Sequence, residues 1–115
     1  MGSQTVMKTE GKIQQEIYMW FKNNFCLKHH NPRFVIFSVP NESENQTEIR
    51  RKMAIGLLKG ASDLIVVRNK ELLFVETKTP EGSQSPEQID FQKTVEALGF
   101  RYELVRSLEQ FQKIL

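Results

Sequence analysis

A chain of 115 residues with 39% hydrophobic and 26% charged side chains has the balance of an ordinary globular domain, long enough to bury one core. No apolar run approaches the ~20 residues that cross a bilayer, no signal-peptide pattern opens the chain, and the lone Cys26 cannot close an internal disulfide; together these predict a reducing, cytoplasmic setting. A net charge of +2 is too small to imply a nucleic-acid partner, so the placement of the charges carries the argument instead.

Residues 1–8 precede any pattern and read as a loose start to a single domain spanning 1–115. Ile13, Ile17, Phe21 and Phe25 then recur every four residues, with Trp20 widening the stripe. That period predicts an amphipathic helix from about Thr9 to Phe25. Asn31 and Pro32 break it, and Phe34 to Val39 reads as a β-branched and aromatic strand. Pro40 to Gln46 is a polar loop. Thr47 to Leu58 predicts a short helix ended by Gly60, with Ile49, Met53 and Leu57 inward and Arg50, Arg51 and Lys52 on its other sides. Asp63 to Val67 and Leu72 to Lys78 are strands joined by a turn centred on Asn69-Lys70, and Thr79 to Gln84 is a flexible loop. Ser85 is placed as N-cap, Pro86 as first helical residue and Gln88 as capping-box partner of the next helix, which Gly99 closes. Arg101 to Val105 is a last strand and Ser107 to Leu115 a short terminal helix. The order is α-β-α-β-β-α-β-α. Leu64 to Val67 and Leu72 to Val75 are apolar at every position, so both faces need cover. An α/β fold follows, with a central mixed sheet flanked by helices.

The hairpin carries the chemical argument. A turn of two or four residues puts Val67 opposite Leu72, Ile65 opposite Phe74 and Asp63 opposite Glu76. Opposed residues hold their Cβ atoms about 4.5–5.5 Å apart on one face, and Lys78, two residues on, points the same way. Two opposed carboxylates beside an apolar sheet are destabilising unless a cation or proton neutralises them. Hard oxygen ligands without Cys or His favour Mg²⁺ or Mn²⁺. Such an ion polarises a phosphoryl oxygen and activates water, and a nearby lysine stabilises developing charge. A turn of three or five residues would spoil the pairing.

Glu10 falls within ~20° of Ile17 and Phe21 on a helical wheel, so it is either a third acid of the site or a first-turn glutamate stabilising the helix dipole. Gln88 is likewise either a capping partner or a residue facing the sheet, at a helix N-terminus able to meet a phosphate. Arg50, Arg51, Lys52 and Lys59 form the dense basic cluster, a solvated face or a DNA backbone clamp. His29 and His30 read as surface residues and Cys26 as a packing residue.

Lys59-Gly60-Ala61-Ser62-Asp63, Phe74-Val75-Glu76-Thr77-Lys78-Thr79-Pro80 and Ser85-Pro86-Glu87-Gln88 together resemble the virus-type replication-repair nuclease (VRR-NUC) family of the PD-(D/E)xK nuclease superfamily. The likeness continues through Glu10 to Gln14, Val39 to Glu42, Gly99 and Val105 to Ser107, nearly the whole chain. Ser62 stands where the family usually has a proline, a turn residue and not a ligand. The resemblance implies a restriction-endonuclease-like core, Asp63 and Glu76 as metal ligands with the Thr77 carbonyl, Lys78 as catalytic lysine, Glu10 as the first-helix acid joining the metal site, and Gln88 as the accessory catalytic-motif residue. It also implies Mg²⁺ or Mn²⁺ as cofactor and a homodimer that nicks branched, Holliday-junction-like DNA in phage or bacterial replication and repair. Asn41, Gln84 and Ser85 join the basic cluster as expected DNA contacts. Two rivals stand beside this reading: a DNA-structure-binding module with the nuclease fold but no turnover, and a restriction or end-processing nuclease of the same superfamily.

Overall fold

Helix α1 (Glu10–Phe25) begins where Thr9 caps it, the Thr9 side chain accepting the Lys12 N–H at 3.1 Å. It buries Ile13, Ile17 and Phe21, the stripe the four-residue period marks out. The computed structural model describes residues 7–40 and 45–115. Residues 1–6 of the expected loose start, and Asn41, lie outside the described residues.

Four strands make one sheet in the order β1 (Val35–Ser38), β2 (Leu64–Arg68), β3 (Glu71–Thr77), β4 (Arg101–Val105). The first two pairings are antiparallel and the third is parallel. Parallel neighbours need a crossover, supplied by α3 (Pro86–Ala97). The β2–β3 ladder closes at Arg68 opposite Glu71, so the turn is the two residues Asn69-Lys70, with Lys70 in the left-handed region at φ 63°. Val67 faces Leu72 and Ile65 faces Phe74.

The main core lies on one face of the sheet. Ile36, Leu64, Val66, Leu73, Val75 and Val105 pack there with the α1 stripe and with Phe111 of α4 (Leu108–Ile114). Each large side chain removed from water here stabilises the fold by about 1.5–3 kcal/mol before entropy is counted. The opposite face carries a smaller aromatic layer of Phe74, Phe91, Phe100 and Tyr102, with centroid distances of 5.4–6.2 Å. Cover on that side is narrower than the doubly apolar strands imply. Helix α3 packs against β4, and Val35, Phe37 and Val67 on the β1–β2 half are 39–47% exposed.

Helix α2 (Gln46–Ala54) also differs. Asn45 caps it through the Glu48 N–H at 2.7 Å, and it ends at Ala54 rather than at the expected Leu58. It buries no residue, and Met53 is 49% exposed. Ile49 and Leu57 are only half-buried. With Arg50, Arg51 and Lys52 in so short a helix, pressing it onto the sheet would desolvate charges that have no buried partners.

Candidate active site

Asp63 sits one residue before β2 and is held from both sides. Its main-chain carbonyl accepts the Val39 N–H at 2.9 Å. Its Oδ2 accepts both the Thr77 N–H and the Thr77 hydroxyl, each at 2.8 Å. Glu76, one residue earlier on β3, is fully buried at 0% exposure. Strand alternation puts it on the same face as Phe74, toward α3. Glu10, in the first turn of α1, reaches in from solvent. One carboxylate oxygen each of Glu10, Asp63 and Glu76 lies within 4.8 Å of the others.

Burial, then a shared proton and the charge of Asp63, push the Glu76 carboxyl up to about 9, with Glu10 adding to the rise and Lys78 opposing it. A carboxyl so placed is protonated near neutral pH unless a cation joins it. Its two oxygens each meet a donor. Gln88 Nε2 donates to Oε2 at 3.1 Å, and the Tyr102 hydroxyl lies 3.5 Å from Oε1. Gln88 meanwhile completes the α3 capping box with Ser85, its Oε1 accepting the Ser85 N–H at 2.9 Å. The capping and sheet-facing readings of Gln88 are therefore both realised, by opposite ends of one amide.

Lys78 is 7% exposed, and none of the ion pairs among the described residues includes it. The loop after it folds back over its stem: a Cβ added at Gly82 would stand 3.5 Å from Lys78 Cδ. Arg106 fastens that loop. Its Nη1 donates to the carbonyls of Thr79 at 2.6 Å, Gly82 at 2.7 Å and Pro80 at 3.3 Å.

A cleft of about 610 Å³ opens over Glu10, Asp63 and Thr77, walled by Gly11, Gln14, Ser38 and Pro40. Glu10 and Asp63 line this cleft, and a carboxylate oxygen of the buried Glu76 lies within 4.8 Å of theirs. Their donors are hard, lack sulfur and imidazole, and include a buried carboxyl that burial and a like-charged neighbour have neutralised. Such a set fits Mg²⁺ or Mn²⁺, with Glu10, Asp63 and Glu76 as the holding residues.

The remaining expected residues are scattered. Ser85 and Gln84 are occupied within the protein: Ser85 Oγ accepts the Gln88 N–H at 3.2 Å, and Gln84 Nε2 reaches Gln92 Oε1 at 2.9 Å and the Tyr102 hydroxyl at 3.2 Å. Arg50 and Arg51 are exposed on α2, Arg51 pairing with Glu48 at 2.6 Å. Lys59 lies beside Glu87 of α3 at 3.7 Å. Sequence reasoning missed two residues here. Gln14 stands four residues after Glu10, the helical spacing that puts it on the same wall, and so could have been found. Tyr102 could not, because its nearness to Glu76 depends on the parallel β3–β4 pairing.

Comparison with known proteins agrees with this geometry at the level of family and fold. A family profile described as "VRR-NUC domain" matches residues 8–109. A solved structure titled "VRR_NUC domain protein" superposes with a TM-score of 0.75 at 18% sequence identity, covering 96% of this chain and 87% of that one. At that identity the likeness shows the fold alone. No curated protein sequence matches the chain.

Proposed function

The chain belongs to the VRR-NUC domain family, a family of nucleases, and from that premise we propose that it is a Mg²⁺- or Mn²⁺-dependent endonuclease. Its substrate is branched, Holliday-junction-like DNA, cut by phosphodiester hydrolysis in replication, repair or recombination. One observation carries the reading: three carboxylates meet within 4.8 Å around a buried Glu76. That arrangement is costly without a cation and useful with one.

A divalent ion held there supplies charge stabilisation at a phosphoryl oxygen and a lowered pKa for a bound water. The chain's own residues do the rest. Thr77 fixes Asp63 through two hydrogen bonds, which leaves the second carboxylate oxygen of Asp63 for another partner. To hold a cation Glu76 would release its proton to solvent, while Gln88 holds its Oε2. Lys78, buried beside Glu76 and in no ion pair among the described residues, stabilises negative charge developing on the scissile phosphate. Arg50, Arg51, Lys52 and Lys59 contact backbone phosphates, which position DNA without reading its sequence. One domain offers one such site, and paired cuts in a four-way junction call for two related by a twofold axis. The functional unit in this reading is therefore a homodimer.

The test is a panel of labelled junctions, flaps, nicked duplexes and single strands incubated with protein and Mn²⁺. Junctions should be cut, and Glu76→Ala and Lys78→Ala should each abolish cutting while circular dichroism stays that of the wild type. If every substrate survives, the enzyme reading fails. If junctions are bound tightly but left whole, the binding-module reading takes its place.

A further inference from the structure

We propose that Tyr102, itself oriented by Gln84, is a positioning residue that fixes the direction of the Glu76 carboxylate for metal binding. The inference deepens the nuclease reading above and rests on it.

The direction of the hydrogen bonds makes the case. An amide nitrogen only donates. Gln84 Nε2 gives one hydrogen to Gln92 Oε1 at 2.9 Å and the other to the Tyr102 oxygen at 3.2 Å. A phenol that accepts in this way keeps its own hydrogen for another partner, and Glu76 Oε1 stands at 3.5 Å. Gln88 of α3 holds the other oxygen of the same carboxylate. Two donors, one from a helix and one from a strand, thereby fix the plane of a side chain that would otherwise turn about its last torsion. The tyrosine ring is locked in turn, packing 6.2 Å from Phe91, and Tyr102 is 5% exposed. Outer residues that hold metal ligands in this way commonly change metal affinity by about ten- to a hundredfold when removed. A separation of 3.5 Å is long for an O–H···O bond, so the expected effect falls below that range.

The experiment is calorimetric titration of Mn²⁺ into the wild type, Tyr102→Phe and Gln84→Leu. Tyr102→Phe keeps the ring and removes only the hydroxyl. It should weaken Mn²⁺ binding about three- to tenfold, with the KM for DNA unchanged. Gln84→Leu should weaken binding by a smaller factor in the same direction, and it decides the matter by itself if Tyr102→Phe does not fold. A Tyr102→Phe protein that binds Mn²⁺ as tightly as a binding-competent wild type overturns the positioning role and leaves the nuclease reading intact. A wild type that takes up no Mn²⁺ overturns the nuclease reading first and this inference with it.

Discussion

Glu76 lives under opposing demands. Its carboxyl is pushed up to about 9 in the folded chain, chiefly by burial and then by Asp63, against an ordinary value of 4.5. A folded state that binds a proton more tightly than the unfolded chain is favoured at low pH and penalised as pH rises. In metal-free protein this group's contribution is therefore fully present below about pH 4.5 and lost as pH climbs toward about 9. Glu76→Gln keeps the shape and removes the charge. The metal-free variant should melt higher than wild type at about pH 8, with the gap closing toward about pH 5; melting curves at both values check it, and a gap that widens at low pH would count against it. The nearness of Asp63 to Glu76 was legible because strand alternation and a two-residue turn are local rules. The partners of Glu76 were less so, since Tyr102 arrives from a strand that pairs only after a helical crossover.

Helix α3 was legible at both ends because side-chain chemistry marks them. Thr9, Ser85 and Ser107 each cap a helix, Pro86 opens one, and Gly99 at φ 93° closes it. Helix α2 was misjudged because three apolar residues in a highly charged segment satisfy a period without the power to bury it. Gly60 shows what a glycine does for element packing. It sits at φ 91°, and a Cβ there would stand 2.4 Å from the Glu87 carbonyl oxygen of α3. The approach to Asp63 thus runs directly against the turn that carries Gln88. Gly56, at φ 114°, has nothing within 4 Å. Gly60→Ala should therefore destabilise by more than the roughly 1–3 kcal/mol of backbone strain that Gly56→Ala meets alone. It should also weaken Mn²⁺ uptake, whereas Gly56→Ala should not. Denaturant titration and calorimetry on both variants separate the two effects, and equal losses would refute the close-approach argument.

Across the whole molecule, the acidic site lies where three layers meet. Glu10 comes from the helix on one side of the sheet, Asp63 and Glu76 from the sheet itself, and Gln88 from the helix on the other. A cation bound there would clasp all three. Binding to the folded state alone stabilises by about 2.7 kcal/mol at a hundredfold excess over Kd, which is about 10 °C for a domain of this size. Mn²⁺ should raise the melting temperature by that order, and by more at about pH 8 than at about pH 6, because Glu76 must first lose its proton. Differential scanning at the two pH values reads this directly; no rise at either would mean that the layers are not clasped.

The tight bend at Asn69-Lys70 has an effect far from where it sits. Insertions at a hairpin tip are ordinarily harmless, since nothing packs there. Here an odd number of added residues sets two requirements against each other. Either Leu73 and Val75 keep their seats in the interior and a bulge must absorb the surplus, or the acid behind them rotates out of reach of its partners. Even-numbered changes escape that conflict. Length variation in this ribbon is thus rationed in pairs, by residues some 17–20 Å away along the strand.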